Sequence, residues 1–215
     1  MYKLDLHTHS DSSYDGGIKL NQYQQILSSG LLDFIAITDH NQIDNAVRIQ
    51  KTIGSKIIVG EEVKTTEGEI IGLFLTEKVP ENLSAKLTAR KIKSQGGLVY
   101  IPHPFETVRS GVSQNTLLEI LEYIDIIEIH NGRAVFQNKS LQALKFANKY
   151  NLARSASSDA HGKRGLVHTY TEVEQQPTLR NIVNQLQKPH LVFKKPPLST
   201  LFYPKANRLK KRLTK

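Results

Sequence analysis

Short β-like apolar runs alternate with longer stretches of helical periodicity along most of this chain. That rhythm describes parallel strands joined by crossover helices. Strand candidates are residues 2–6, 34–38, 56–63, 70–75, 98–101, 124–129 and 153–157, with a further β-like segment at 168–173. Helical patterns cover 19–29, 43–53, 83–95, 113–123, 135–150 and 178–187. Gly30, Gly54 and the Gly96-Gly97 pair follow the first three helices, where a helix end favours a left-handed residue. Ser113 is a natural N-cap, and Thr178 follows Pro177 at the start of the last pattern. Seven strands with six helices indicate an α/β fold, a small distorted (β/α)7 TIM-like barrel. A chain of 215 residues suits one such domain.

Composition narrows what the barrel can do. With 39% apolar and 23% charged residues the chain has the make-up of a globular protein. No apolar stretch is long enough to span a membrane and the N-terminus lacks a secretory apolar core, so a cytoplasmic location is expected. Cysteine is absent, which excludes disulfides and thiolate chemistry and leaves His and carboxylates as the only strong metal ligands. The net charge of +9 is concentrated at the C-terminus. Residues 194–215 hold eight Lys or Arg and no acid, whereas residues 1–193 carry 21 basic against 20 acidic side chains. The chain therefore divides into a nearly neutral barrel domain, 1–193, and a basic C-terminal tail, 194–215. Pro196, Pro197 and Pro204 prevent one continuous helix there, although 205–215 suits a short one. Such a tail either stays solvated or contacts RNA, DNA or another anionic surface.

Five of the eight histidines, His7, His9, His40, His103 and His161, stand just after predicted strands. In parallel α/β architectures these strand ends converge on one site. Strand alternation puts His7 and His9 on one face, about 6.6 Å apart along the chain, close enough to share an ion. Thr38-Asp39-His40-Asn41 ends a buried strand in polar groups, of which Asn41 is expected to cap the following helix. Glu61 and Glu62 end another. If Glu62 faces the site, Glu61 points to the opposite face, solvated or paired with a lysine. His103 sits between Pro102 and Pro104, which fix its backbone. Asp159 and His161 repeat the i, i+2 geometry, and Asp15 lies in the loop after the first strand. Each element alone has an ordinary structural explanation. Their shared position at strand ends does not. Alternation also puts Glu128 and His130 on one face with Asn131 at the rim, without deciding which of them faces the ions. His168 and His190 read as surface or packing residues.

The ordered set His7-Thr8-His9, Thr38-Asp39-His40-Asn41, Gly60-Glu61-Glu62, His103-Pro104 and Ser158-Asp159-Ala160-His161 resembles the polymerase and histidinol phosphatase (PHP) superfamily of metal-dependent phosphoesterases. The resemblance spans residue 1 to about 165. It implies the PHP fold, with two or three divalent ions, zinc, manganese or iron, at the C-terminal face of the barrel. It also implies that His7, His9, Glu62 and Asp159 hold the first ion and form the catalytic set. Glu62 would bridge to a second ion with His103, and Asp15, His40 and His161 would hold a third. Members with a full site commonly add a histidine between the glutamate and His-Pro motifs. Residues 64–102 contain none, leaving the second ion to be completed by water or by His130, or absent.

The implied activity is hydrolysis of a phosphomonoester, or of a nucleotide or nucleic-acid phosphodiester, through a metal-bound hydroxide. Arg109 and Arg133 are candidates for binding the substrate phosphate. The near-neutral barrel favours a phosphorylated small molecule or nucleotide, and the tail favours RNA or DNA. Two other readings are a PHP-type metal-binding regulatory domain without catalysis and a metallohydrolase acting on a non-phosphorus substrate.

Overall fold

In the computed structural model of the chain, which describes residues 1–135 and 137–213, the apolar runs assemble into one nine-stranded sheet. In chain order the strands are β1 (Tyr2–Asp5), β2 (Phe34–Ile37), β3 (Ile57–Thr65), β4 (Gly68–Leu73), β5 (Leu98–Ile101), β6 (Ile124–Asn131), β7 (Ala153–Ser157), β8 (Thr169–Val173) and β9 (His190–Phe193). Around the sheet they run β7-β6-β5-β4-β3-β2-β1-β8-β9. The helices are α1 (Leu20–Ser28), α2 (Asp44–Ile53), α3 (Ala85–Ser94), α4 (Gln114–Glu119), α5 (Ser140–Lys149), the single turn α6 (Ile182–Gln185) and α7 (Tyr203–Leu213).

The pairs β1–β2, β2–β3, β5–β6 and β6–β7 are parallel. Strand β4 is antiparallel to both β3 and β5, and β8 to both β1 and β9. The expected all-parallel rhythm is therefore interrupted at β4. Only Thr66 and Glu67 separate β3 from β4, a link that can close a hairpin, whereas a parallel return needs about a dozen residues. Beyond the ends of β1 and β7, Thr8 bridges Ala160 in parallel. There His9 N–H donates to the Ala160 carbonyl and Asp159 N–H to that of His7, each at 2.9 Å. These bonds nearly close the sheet into a barrel on the side where the predicted ligands lie.

Two apolar layers support it. Leu4, Leu6, Ala36, Ile58, Ile71 and Ile126 fill the interior. The helices pack outside on one buried stripe each: Tyr23, Ile26 and Leu27 of α1, Ala85, Ala89 and Ile92 of α3, and Ala143, Phe146 and Ala147 of α5. Ser84 caps α3 and Ser113 caps α4, each accepting a backbone N–H at 3.2 Å. Gly30, Gly54 and Gly96 take positive φ at the helix ends read from sequence.

Several boundaries move. The 113–123 pattern is α4 plus a 3-10 turn at Leu121–Tyr123, and the 178–187 pattern condenses to α6. The 135–150 pattern is helical only over α5, and Phe136, within it, lies outside the described residues. Strand β9 was not anticipated, because its residues alternate weakly and stay half-buried or exposed at the sheet edge. Asn41 does not cap α2. Its Oδ1 accepts Lys64 N–H at 2.8 Å, and its Nδ2 donates to Glu81 at 2.9 Å. The basic segment folds into a 3-10 turn (Leu198–Phe202) and α7, while Lys215 lies outside the described residues. No helix among the described residues is long and apolar enough to cross a membrane.

Candidate metal centre

Alternation along the chain after β1 brings His7 and His9 together, with Nε2 atoms 3.2 Å apart. Glu62 Oε2 lies 3.4 Å and 3.3 Å from those atoms. Asp159 Oδ1 lies 3.6 Å and 3.4 Å from the same pair. Four ligands held tetrahedrally at about 2.0–2.1 Å from an ion stand about 3.3–3.4 Å from one another, so this donor set has the dimensions of a metal shell. The other Glu62 oxygen, Oε1, is 3.1 Å from His103 Nε2. One carboxylate thus reaches two donor groups. A further group combines His9, Asp15, His40 and His161, with Asp15 oxygens 3.7 Å from His40 Nε2 and 3.3 Å from His161 Nε2.

The surrounding chain holds these side chains in place. His103 and Asp159 take positive φ, 27° and 52°, so the backbone turns sharply as it leaves the barrel. Such strained non-glycine residues cluster at functional sites. Asp39 is not among the donors: its Oδ1 accepts Ser10 N–H at 2.6 Å and anchors the loop after His9. Behind His7, buried Glu128 lies 3.3 Å from Nδ1. It also accepts the Tyr100 hydroxyl at 2.8 Å, His103 N–H at 2.7 Å and Asn131 Nδ2 at 2.8 Å. A carboxylate behind an imidazole fixes its tautomer and orients its free nitrogen.

Three sequence expectations change here. Glu69 was missed. It lies 3.6 Å from His40 Nδ1 and 4.0 Å from His103 Nε2, and groups with His40 and Glu62. Pairing of Lys64 with Glu69 and of Glu62 with Ile71 puts Glu69 on the face of Glu62. The signal was the two-residue turn at Thr66 and Glu67, which fixes that register. It places a carboxylate in the interval that lacks a histidine. His130, by contrast, turns away. The β6–β7 register shifts between Glu128 and His130, so alternation fails and Glu128 and Asn131 face inward. The His130 ring instead stacks on Phe193 at 4.3 Å, with Nδ1 3.2 Å from Ser140 Oγ. Glu61 does point to the opposite face, but it is buried rather than solvated or lysine-paired. Its Oε2 accepts Val79 N–H at 2.8 Å, and burial raises its carboxyl to about 7. Among the described residues His168 and His190 join no donor group.

Electrostatics favour positive charge on the two innermost imidazoles, whereas burial holds His40 and His161 below their ordinary value. Burial alone would depress His7, yet Asp159, Glu62 and Glu128 hold it well above its ordinary value. Burial opposes charge on His9 too, but hydrogen bonds to Asp159 and Glu62 bring it to about 9. Burial, then repulsion from Glu62 and Asp159, pushes Glu69 up to about 9. Carboxylates and imidazoles crowd one another here closely enough to shift each other's protonation, as expected where cations complete the site. A cavity of about 240 Å3 opens above these groups. Arg109 and Arg133 both line it. Arg109 Nη1 donates to Asp159 at 2.8 Å and its Nε to Glu106 at 3.0 Å. Arg133 Nη1 stands 3.4 Å from Asp159 and 3.3 Å from His161 Nδ1.

Known proteins resemble this chain in sequence and in fold. The uncharacterized protein MJ0417 of Methanocaldococcus jannaschii is 36% identical over 171 residues, covering 74% of this chain and 65% of that protein. The uncharacterized protein MJ1587 of the same organism is 33% identical over 152 residues, covering 65% of this chain and 89% of that protein. The chain thus spans about two thirds of the first relative's length and most of the second's. Among solved structures, a two-domain protein of Bacteroides vulgatus containing a predicted PHP-like metal-dependent phosphoesterase superimposes with a TM-score of 0.71 at 22% identity. That match covers 89% of this chain and 64% of the other. The sequence pattern that defines the PHP domain matches residues 5–188, nearly the whole barrel, and the chain belongs to that family.

Proposed function

We propose that this protein is a metal-dependent hydrolase of phosphate esters, acting on a phosphorylated small molecule or nucleotide with two or three divalent ions. The observation that carries this reading is the position of Glu62, one carboxylate reaching His7, His9 and His40 through one oxygen and His103 through the other. Two or three ions in these donor groups would lower the pKa of a water toward neutrality and neutralise phosphoryl charge as the leaving group departs. The chain supplies the rest. His7, His9, Glu62 and Asp159 form the innermost donor set and are the residues on which catalysis depends. Asp15, His40, Glu69, His103 and His161 extend it. Glu128 keeps a proton on His7 Nδ1 and so leaves Nε2 free to ligate. Arg109 and Arg133 line the cavity wall beside Asp159, where phosphoryl oxygens would lie. At about 240 Å3 the cavity is smaller than the ~300–1,000 Å3 that encloses a whole ligand, so it admits the reacting end and leaves the leaving group outside.

The test is metal content per chain, followed by hydrolysis of an aryl phosphate and a short oligonucleotide with manganese, zinc or ferrous iron. We expect metal-dependent hydrolysis of at least one, a loss of about 100-fold or more in His7→Ala, and fewer ions per chain in Glu69→Ala. No hydrolysis of either ester, with His7→Ala retaining the wild-type metal content, would overturn the proposal.

A further inference from the structure

The basic C-terminal segment is not a detached tail. Helix α7 lies on the loop that follows β1, in a seat built for it. Asn207 Nδ2 donates to the carbonyls of Asp15 at 2.8 Å and His161 at 2.9 Å, two residues of one donor group. Lys211 Nζ donates to the carbonyls of Asp11 and Gly16, each at 2.8 Å, and to that of Ser13. Two glycines leave room. A Cβ on Gly17 would stand 2.9 Å from Asn207 Nδ2, and one on Gly162 would stand 2.8 Å from the Tyr203 ring.

This docking fixes where the charges of α7 point. Residues 204, 208 and 212 are spaced by four and share one face of the helix. Buried Pro204 and exposed Arg208 line the metal cavity. Arg208 and Arg212 then continue into an adjoining groove of about 410 Å3, lined also by Ser12, Tyr14 and Lys211. Tyr14 and Arg208 belong to both linings, so groove and cavity adjoin. The described residues lining the groove include no carboxylate. The Lys211 ammonium is engaged by loop carbonyls, which leaves the two guanidinium groups facing the opening. Guanidinium forks match phosphate oxygens in geometry as well as charge.

We propose that Arg208, supported by Arg212, is a specificity-determining residue that binds a second phosphate, carried on the leaving-group side of the substrate. This rests on the phosphoesterase reading of the metal centre. With the scissile phosphate in the small cavity, the leaving group projects along α7. The preferred substrate is therefore an ester bearing two phosphates. The second phosphate is either that of a small bisphosphate or the next phosphate of an oligonucleotide.

The experiment compares metal-loaded wild type with Arg208→Gln, Arg208→Lys and Arg212→Gln on three substrates: a sugar monophosphate, the corresponding sugar bisphosphate and a 5′-phosphorylated trinucleotide. Equilibrium binding of the same compounds is measured beside kcat/KM. Wild type is expected to prefer one doubly charged substrate over the monophosphate by tenfold or more, and whichever it prefers identifies the source of the second phosphate. Arg208→Gln should reduce that ratio about tenfold in kcat/KM and in affinity, Arg212→Gln should reduce it less, and Arg208→Lys should restore part of it. A ratio unchanged in Arg208→Gln, whether both rates fall together or neither does, overturns the assignment. Hydrolysis of none of the three by wild type would instead count against the phosphoesterase reading, while the binding ratio would still report on Arg208.

Discussion

At the scale of single residues, the pocket is crowded with groups whose charge depends on burial, and Glu61 offers a clean measurement because it faces away from the donors. One of its oxygens accepts Val79 N–H and the other, buried, has no hydrogen-bond partner. Its carboxyl is raised to about 7 when folded, against about 4.3–4.5 when unfolded. The folded chain therefore keeps a proton that the unfolded chain releases, and stability falls as pH rises across that interval, by about 3 kcal/mol in total. Glu61→Gln should remove this dependence. Its melting temperature relative to wild type should rise between pH 5 and pH 8, and a constant difference would show that Glu61 is ionised throughout. Glu61 also shows how far single residues were legible. Strand alternation gave its side correctly, as it did for His7 with His9. What covered that side was not legible, because the segment around Val79 reaches it only through tertiary folding.

At the scale of elements, the strand-end histidines were readable because each follows a regular run whose period fixes direction. The failures lie where the period breaks. The bulge at Glu128 and His130 reverses the expected faces, and the β3–β4 hairpin brings in Glu69 against the chain direction. Both depend on one residue of register, which composition does not encode. Helix α7 was legible as a short basic helix, but its seat was not, since that depends on carbonyls nearly 200 residues earlier. Its attachment can be measured. Asn207→Ala removes the donors to the Asp15 and His161 carbonyls and should cost about 1–3 kcal/mol in urea unfolding. No change in midpoint would mean that the Lys211 contacts alone hold the helix.

At the scale of the whole molecule, the barrel gathers buried imidazoles and carboxylates from the ends of most of its strands into groups that could hold cations. Stability should therefore follow metal occupancy. Ions at a hundredfold excess over their dissociation constant add about 2.7 kcal/mol, which for a chain of this size is a rise in melting temperature of roughly 5–10 °C. Scanning calorimetry with manganese or zinc and then with a chelator checks this, and equal melting temperatures would show that the pocket is stable without ions. The position of α7 also bears on biosynthesis. Asn207 holds carbonyls of Asp15 and His161 together. Loss of the segment carrying residue 207 would therefore leave the loop after β1 and the loop after β7 without this clasp between them. Truncated translation products would then keep the strands of the barrel but lack this tie beside one donor group.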